Sequence, residues 1–233
     1  MNSPLPRPPS TYLHFDGVDD YVEIPDSAAF SVATTGELTV SAWLRPATLQ
    51  FPNTEGSGYV HWLGKGEPNR HEWTFRMYSA GNTENRDNRI SFYVFNRTGG
   101  LGVGSHFQDV IEAGTWIHVV GVADGNRTYM YRDGDLRDSD SYQGKIVPHH
   151  GTAPLRMGTR DFASYFQGEI SQVRVWNRVL LDTEVADLFH GIAVPQVGLV
   201  ADYPLIYNVH TMAYDTIGPQ DGQIHGATGI YEP

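Results

Sequence analysis

The chain has 233 residues, of which 40% are hydrophobic and 18% charged, and this is enough for one sandwich-sized hydrophobic core. With 16 basic and 27 acidic side chains, the formal charge of −11 repels nucleic acid and anionic membrane surfaces. The absence of cysteine excludes disulfides and thiolate metal sites. Because of the negative net charge, we do not expect nucleic-acid binding. No apolar run is long enough to cross a bilayer, so we do not expect membrane insertion either.

The first residues differ in composition from the rest of the chain. Residues 1–10 are rich in proline and lack the apolar core of a secretion signal. We expect residues 1–10 to form a flexible leader and residues 11–233 to form a single domain. The lack of cysteine does not indicate a cellular compartment.

Short alternating or β-branched apolar runs, separated by Gly, Asn, Asp and Pro clusters, follow one another along the chain. This pattern is typical of an antiparallel sandwich. Asp133 and Gly134 form a two-residue hairpin signal after one of these runs. The predicted strands cover residues 12–15, 21–24, 37–45, 59–63, 72–78, 89–96, 116–123, 128–132, 155–157, 168–177, 199–205 and 222–225.

A long strand followed at once by a helix is the most informative stretch of the sequence. Residues 168–177 alternate apolar and polar side chains, with one irregularity beginning at Ser171. Residues 182–189 carry apolar side chains at helical spacing, begin with Asp182 and are followed by Gly191, which favours a helix end. The prediction is an all-β, two-sheet antiparallel β-sandwich with one short helix near residues 182–189.

Four motifs occur in a characteristic order: Leu13-His-Phe-Asp-Gly-Val-Asp-Asp-Tyr-Val-Glu-Ile24, Leu38-Thr-Val-Ser-Ala-Trp-Leu-Arg-Pro46, Trp116-Ile-His-Val-Val120 with Tyr131-Arg-Asp-Gly134, and Phe166-Gln-Gly-Glu-Ile-Ser-Gln-Val-Arg-Val-Trp-Asn-Arg178. Together they resemble the concanavalin A-like, laminin G-like jelly-roll family over residues 12–191. The resemblance implies a jelly roll of two facing sheets, a bound calcium ion and a role in binding glycans or proteins. It also implies an extracellular or cell-surface location, with the cytoplasm as the alternative.

The C-terminal tail is similar to a strand pair that usually opens such domains. The tail spans residues 199–228, and the termini of compact domains often lie near each other. We therefore expect this strand pair to complete the sheet from the C-terminal end. The alternative is that the tail begins a second domain.

The resemblance also implies a metal site, and its residues are Asp16, Asp19, Asp20, Glu169 and Asp215. Calcium prefers six to eight hard oxygen ligands from carboxylates and loop carbonyls, which an acidic turn containing glycine offers. We therefore expect a structural Ca²⁺ ion. The alternative is that these acidic residues only cap turns.

Side-chain alternation predicts a ligand surface on two strands. If residues 72–78 and 90–96 form neighbouring strands, an arginine and several aromatic rings share an outer face, where rings can stack on a sugar. Trp62 and Trp73 lie outside the family motifs and are the tryptophans expected to be most available to a ligand. The alternative is ordinary cross-strand pairing. The predicted ligand residues are Trp73, Arg76, Tyr78, Tyr93 and Phe95.

An enzymatic function has less support than a binding function, and no catalytic residue is assigned. Residues 169–174 lack the second carboxylate that a glycoside hydrolase requires, since Ser171 and Arg174 stand in its place. Gln223-Ile224-His225 resembles a motif of jelly-roll alginate lyases without their accompanying Tyr-and-Lys strand. The sequence favours a calcium-stabilised module that binds a glycan or polysaccharide on a concave sheet or loop surface. The alternatives are a protein-interaction or structural module, and a polysaccharide lyase or hydrolase.

Overall fold

A computed structural model of the protein describes residues 6, 8–96, 102–206 and 211–233. Its helices are a 3₁₀ turn at Ala28–Phe30, α1 at Val32–Thr35 and α2 at Asp182–Phe189. The strands in chain order are β1 Thr11–Asp16, β2 Tyr21–Ile24, β3 Leu38–Pro46, β4 Tyr59–Glu67, β5 Arg70–Tyr78, β6 Ile90–Phe95, β7 Gly102–Phe107, β8 Ile117–Ala123, β9 Arg127–Arg132, β10 Asp135–Ser141, β11 Leu155–Met157, β12 Gln167–Trp176, β13 Leu199–Tyr203, β14 Met212–Ala213, β15 Gly222–His225 and β16 Thr228–Tyr231.

The strands form two eight-stranded sheets whose neighbouring strands all run antiparallel. Sheet A has the order β10-β9-β8-β3-β12-β1-β16, with β13 also paired to β12. Sheet B has the order β14-β15-β2-β11-β4-β5-β6-β7. The predicted all-β, two-sheet antiparallel jelly roll is therefore confirmed, as is the helix at Asp182–Phe189, whereas the short turns at Ala28–Phe30 and Val32–Thr35 were not predicted.

Each predicted strand is present, and four additional strands escaped prediction: β7, β10, β14 and β16. All four lie at sheet ends, where a strand has only one hydrogen-bonded neighbour. Strand β10 is dominated by Asp and Ser and is at least partly exposed along its whole length, so it carries no apolar alternation. Edge strands of this kind are specified by their partner more than by their own side chains.

The irregularity predicted at Ser171 is a β-bulge in β12. The register of β12 against β3 shifts between Ser171 and Arg174, and Gln172 adopts a φ of 48°. On the other side of β12, the half before the bulge pairs with β1 and the half after it pairs with β13. The bulge thus gives β12 two different neighbours along the same edge.

Helix α2 packs on the face of sheet A that points away from the main core. Val185 and Leu188 of the helix join Trp176 and Val120 of the sheet in a second apolar cluster. The Asp182 carboxylate accepts a 2.7 Å hydrogen bond from the Tyr131 hydroxyl at the start of the helix. Within the described residues, neither this helix nor any other is long and apolar enough to span a membrane.

The C-terminal strands divide between the two sheets, and β14 pairs with β15 in sheet B. Strand β13 joins sheet A beside β12, whereas β15 joins sheet B beside β2. Strand β16 then pairs with β1. Residues 199–228 therefore contribute strands to both sheets, and the first of them, β13, does not pair with β15. Of the predicted leader, residues 1–5 and 7 lie outside the described part of the chain.

The main core lies between the sheets and depends on one close approach at Gly121 of β8. A Cβ atom at this position would lie 2.5 Å from Phe92 and 2.6 Å from Phe75, both from the opposite sheet. Phe92 is 0% exposed and Phe75 is 1% exposed, so neither ring has space to move. Gly121 therefore allows the two aromatic rings to contact the backbone of sheet A.

Replacing Gly121 with Ala tests this packing. We expect Gly121→Ala to lower the free energy of unfolding in urea by about 1–3 kcal/mol, because overpacking forces side chains off their rotamers. Adding Phe92→Leu removes one of the clashing rings, so the double variant should lose less stability than the sum of the two single variants. Strictly additive losses would show that Gly121 is not a contact point of the sheets.

Candidate functional site

Three side chains meet on the outer face of sheet B, where β4, β5 and β6 lie side by side. The Arg76 guanidinium carbon lies 4.0 Å from the ring centroid of Tyr93 on β6 and 4.7 Å from that of Tyr59 on β4. Both distances are within the range of cation–π attraction, which holds the guanidinium group in place. Tyr59, Arg76 and Tyr93 are each partly exposed and are called the Arg76 cluster below.

The strand pairing places the predicted outer-face residues on one side of sheet B, with unequal access to solvent. Arg76 and Tyr93 are partly exposed, whereas Tyr78 is 2% and Phe95 is 7% exposed. The Tyr78 hydroxyl accepts a 2.8 Å hydrogen bond from Arg86. Phe95 packs against the ring of His71, with centroids 5.1 Å apart. Tyr78 and Phe95 are therefore buried against neighbouring side chains of this face and are not accessible to a ligand.

Trp73 does not belong to this surface, which corrects the prediction. Its side chain is 0% exposed, lies in the core between the sheets and donates a 2.7 Å hydrogen bond to the carbonyl of Phe30. Trp62 is also 0% exposed. The physical reason is the period of two along a strand, which puts Trp73 on the face opposite Arg76.

A buried hydrogen-bond network lies beside the Arg76 cluster. His61 Nε2 is 2.7 Å from Glu55 Oε1, and His61 Nδ1 is 2.7 Å from Thr74 Oγ1. Burial, followed by the positive charges of Arg160 and Arg76, lowers the pKa of the His61 imidazole well below its usual range. Burial also raises the pKa of the Glu55 carboxyl. A neutral imidazole that donates to Glu55 and accepts from Thr74 satisfies both contacts.

The loop between β11 and β12 is tied to this network by charge. Arg160 donates a 2.7 Å hydrogen bond to Asp161 and lies 3.5 Å from Glu55. Burial by itself raises the pKa of Asp161, but hydrogen bonding to His71 and the charge of Arg160 outweigh it and hold that pKa at about 2. The loop is thereby fixed to sheet B by ionised groups that are largely out of water.

The network contains hydrogen-bonding capacity that no described protein group uses. Four of its buried polar atoms have no hydrogen-bond partner: Arg76 Nε, Arg160 Nε, Glu55 Oε2 and Asp161 Oδ1. Buried polar atoms of this kind are uncommon in folded proteins and call for a specific explanation. Their concentration in one region marks this face of sheet B as the candidate ligand site.

The residues Glu55, Tyr59, His61, Arg160 and Asp161 were missed by sequence reasoning. Tyr59 and His61 flank the buried Val60, so alternation on β4 would have placed both on the outer face beside β5. Glu55 and Arg160 lie in loops far apart in sequence. No local pattern predicts that these two loops meet.

A second aromatic group extends the outer face of sheet B. The His225 ring is stacked on Tyr21 with centroids 4.3 Å apart, and Tyr21 contacts Phe162 at 5.0 Å. The Arg156 guanidinium carbon lies 4.3 Å from the Phe162 ring. The His225 of the lyase-like motif is thus held in an aromatic stack.

The turn after β1 brings three carboxylates together. One oxygen each from Asp16, Asp19 and Asp20 lies within 4.8 Å of the others, which is compatible with a shared metal ion. Asp16 accepts hydrogen bonds from the Val18 and Asp19 amides, and Asp20 accepts one from the Asp16 amide. Burial and then the neighbouring Asp16 and Asp19 charges raise the pKa of Asp20, against a lowering by the Asp16 amide.

Glu169 and Asp215, the other predicted metal ligands, lie outside this group of three. Glu169 accepts hydrogen bonds from His14 at 2.8 Å and from Arg45 at 3.0 Å. One oxygen of Asp215 accepts from the Asp202 amide at 3.0 Å, and the other is buried without a partner. The structure brings the turn aspartates together and places Glu169 in an ion-pair network.

Comparisons with known proteins agree with this architecture. A family model described as the concanavalin A-like lectin/glucanases superfamily matches residues 16–186. The structure resembles a heptameric SAP-like pentraxin from Limulus polyphemus, with a TM-score of 0.60, 13% identity and coverage of 96% of this chain and 95% of that one. It also resembles a proposed carbohydrate-binding protein from Bacteroides ovatus, with a TM-score of 0.67, 15% identity and coverage of 97% of this chain and 61% of that one. These structural likenesses show the fold. The curated proteins contain no match to the sequence.

The buried His61 predicts a specific pH dependence of stability. Because its pKa is lowered in the folded protein, the unfolded chain binds a proton near pH 6.5 that the folded chain does not. Stability should therefore fall as the pH drops below that value, by at most about 1.4 kcal/mol per pH unit from this group. Urea unfolding between pH 7 and pH 5 measures the effect.

His61→Gln should remove part of this dependence, because glutamine can bond to Glu55 without titrating. The matched control is His149→Gln, since His149 is exposed. The assignment of a neutral His61 is wrong if the pH dependence of the His61→Gln protein matches that of the unsubstituted protein.

Proposed function

The chain belongs to the concanavalin A-like lectin/glucanases superfamily, and from this membership we propose that it is a carbohydrate-binding module. We place its ligand site on the outer face of sheet B, around the Arg76 cluster. The observation that carries the proposal is a partly exposed guanidinium group held between two tyrosine rings. Aromatic rings stack on the apolar face of a pyranose, while polar groups bond its hydroxyls. The fold of the proposed carbohydrate-binding protein from Bacteroides ovatus supports the same class of function.

Contacts within the protein already hold the side chains of the site in place. Arg76 is positioned by two rings, and the strand beside it is fixed by the buried contacts of His61 with Glu55 and Thr74. A side chain that is already ordered loses little conformational entropy on binding, whereas a free one costs about 0.5–1.5 kcal/mol. Preorganisation of this kind increases the affinity for a ligand that fits the arrangement, because less order has to be imposed on binding.

Replacing Tyr93 tests the proposal. We expect a glycan array to identify ligands, and Tyr93→Ala to weaken their binding in calorimetric titration by about 10-fold or more, since 1.4 kcal/mol corresponds to 10-fold. The control is Tyr214→Ala. Tyr214 is 54% exposed and follows β14, at the other end of sheet B from β6. An empty array, or equal binding by the Tyr93→Ala protein, counts against this function.

We also propose that a Ca²⁺ ion stabilises the turn formed by Asp16, Asp19 and Asp20. Three carboxylates converge there, and burial together with mutual repulsion raises the pKa of Asp20. A divalent cation relieves that repulsion and prefers oxygen ligands of this type. The ion is proposed as a structural element, because it would hold the turn between β1 and β2 without touching the Arg76 cluster.

Calcium removal should lower the melting temperature. A ligand bound only to the folded state at 100 times its dissociation constant stabilises by about 2.7 kcal/mol, or roughly 5–10 °C for a domain of this size. Asp19→Asn should abolish the difference between calcium and EDTA, whereas Asp135→Asn, an exposed position on β10, should preserve it. If EDTA leaves the melting temperature of the starting protein unchanged, no calcium site is present.

A further inference from the structure

Not every arginine on the outer face of sheet B forms an ion pair with a carboxylate. Most arginines that the structure describes lie within 4 Å of a carboxylate, such as Arg156 with Glu23 at 2.8 Å and Arg174 with Asp202 at 3.1 Å. Among the described residues, Arg76 forms no such ion pair. Its Nε atom is buried without a hydrogen-bond partner. The guanidinium is thus partly withdrawn from water with aromatic rings as its main neighbours.

Arg89 lies on the same face and is also paired only with a neutral group. Its guanidinium donates two hydrogen bonds, of 3.1 and 2.8 Å, to the Gln108 side-chain oxygen. Burial, followed by the positive charge of Arg86, lowers the pKa of the Arg89 guanidinium, whereas Tyr93, Tyr78 and Glu84 act in the opposite direction. Arg86 itself is paired with Glu84. Arg76 and Arg89 therefore lie on this face without a carboxylate within 4 Å among the described residues, although Glu55 and Glu84 are close enough to feel the charge of Arg76.

The lack of an ion pair at Arg76 in the described part of the chain contrasts with the acidic composition of the protein. The formal net charge is −11, so carboxylates are abundant, yet none lies within ion-pair distance of Arg76 in the described residues. Partial burial of an unpaired charge costs free energy, and an anionic ligand would offset that cost. A neutral sugar hydroxyl accepts a hydrogen bond but brings no charge that could form a direct ion pair with Arg76.

We propose that the Arg76 cluster recognises a saccharide that carries a carboxylate, of the uronic-acid type. The Arg76 guanidinium binds the carboxylate, and the sugar ring packs against Tyr59 or Tyr93. The planar fork of a guanidinium matches a planar carboxylate with two parallel hydrogen bonds, which makes carboxylate the favoured anion. This inference rests on the proposed carbohydrate-binding function and names its ligand class.

The test compares matched ligands. Oligosaccharides of galacturonate, glucuronate and mannuronate are titrated into the full chain, each alongside its methyl ester, which keeps the ring and removes the charge. We expect at least one acid to bind at least 10-fold more tightly than its ester. Arg76→Gln should reduce that ratio to near unity, and Arg76→Lys should give an intermediate ratio, because lysine keeps the charge without the fork.

The ratio of acid to ester binding does not depend on how much of a variant is folded, so a partly unfolded variant still gives a clear result. The control is Arg127→Gln, an exposed arginine on β9 of sheet A, which should leave the ratio unchanged. Equal binding of acids and esters overturns the carboxylate assignment and leaves the carbohydrate-binding function standing. Tighter binding of sulfated than of carboxylated sugars also overturns it. Failure to bind any member of a full glycan array contradicts both proposals.

Discussion

The two-residue period of β5 is the constraint on which the candidate site depends. Trp73, Phe75 and Met77 are at most 1% exposed and fill the core. Burial of each such side chain contributes about 1.5–3 kcal/mol, so the strand cannot turn over without losing much of the net stability of a domain. Arg76, which alternates with these residues, must therefore point away from the core. The position of the guanidinium is a consequence of the packing on the other side of the sheet.

Alternation within single strands made part of the site predictable. It placed Arg76 and Tyr93 on one outer face before the pairing of β5 with β6 was known, and the register confirms this placement. The same alternation put Trp73 with Phe75 and Met77 on the core face. Its assignment as a ligand residue rested on its lying outside the family motifs, which says nothing about exposure. The buried position of Trp73 agrees with the alternation along β5.

Contacts between distant segments were not predictable. The network of Glu55, His61 and Arg160 requires two loops to meet over sheet B, and β4 carries a bulge next to His61 that a period of two does not describe. The C-terminal tail shows the same limit. Of its strands, β13 and β15 were recognisable from their side chains, but their division between two sheets depends on partners that are distant in sequence.

The predicted metal ligands also separate into residues that are close in sequence and residues that are distant in sequence. Asp16, Asp19 and Asp20 are neighbours in sequence, so one turn conformation is sufficient to bring their carboxylates together. Glu169 and Asp215 are distant from this turn in sequence, and each already has local partners. The ion pair of Glu169 with Arg45 and its contact with His14 satisfy the carboxylate without a metal.

The contrast between the net charge and the Arg76 surface determines how an acidic saccharide would approach. At long range, a protein of charge −11 repels a polyanion, and this repulsion is screened over roughly 8–10 Å at physiological salt. At short range, the guanidinium attracts a carboxylate in a partly desolvated setting, where screening is weaker. Added salt therefore weakens the long-range repulsion between protein and saccharide more than it weakens the short-range attraction between the guanidinium and the carboxylate. Selectivity for a carboxylated sugar in such a site comes from the local geometry of one arginine and two rings. The overall negative field of the protein acts against the binding of an anion.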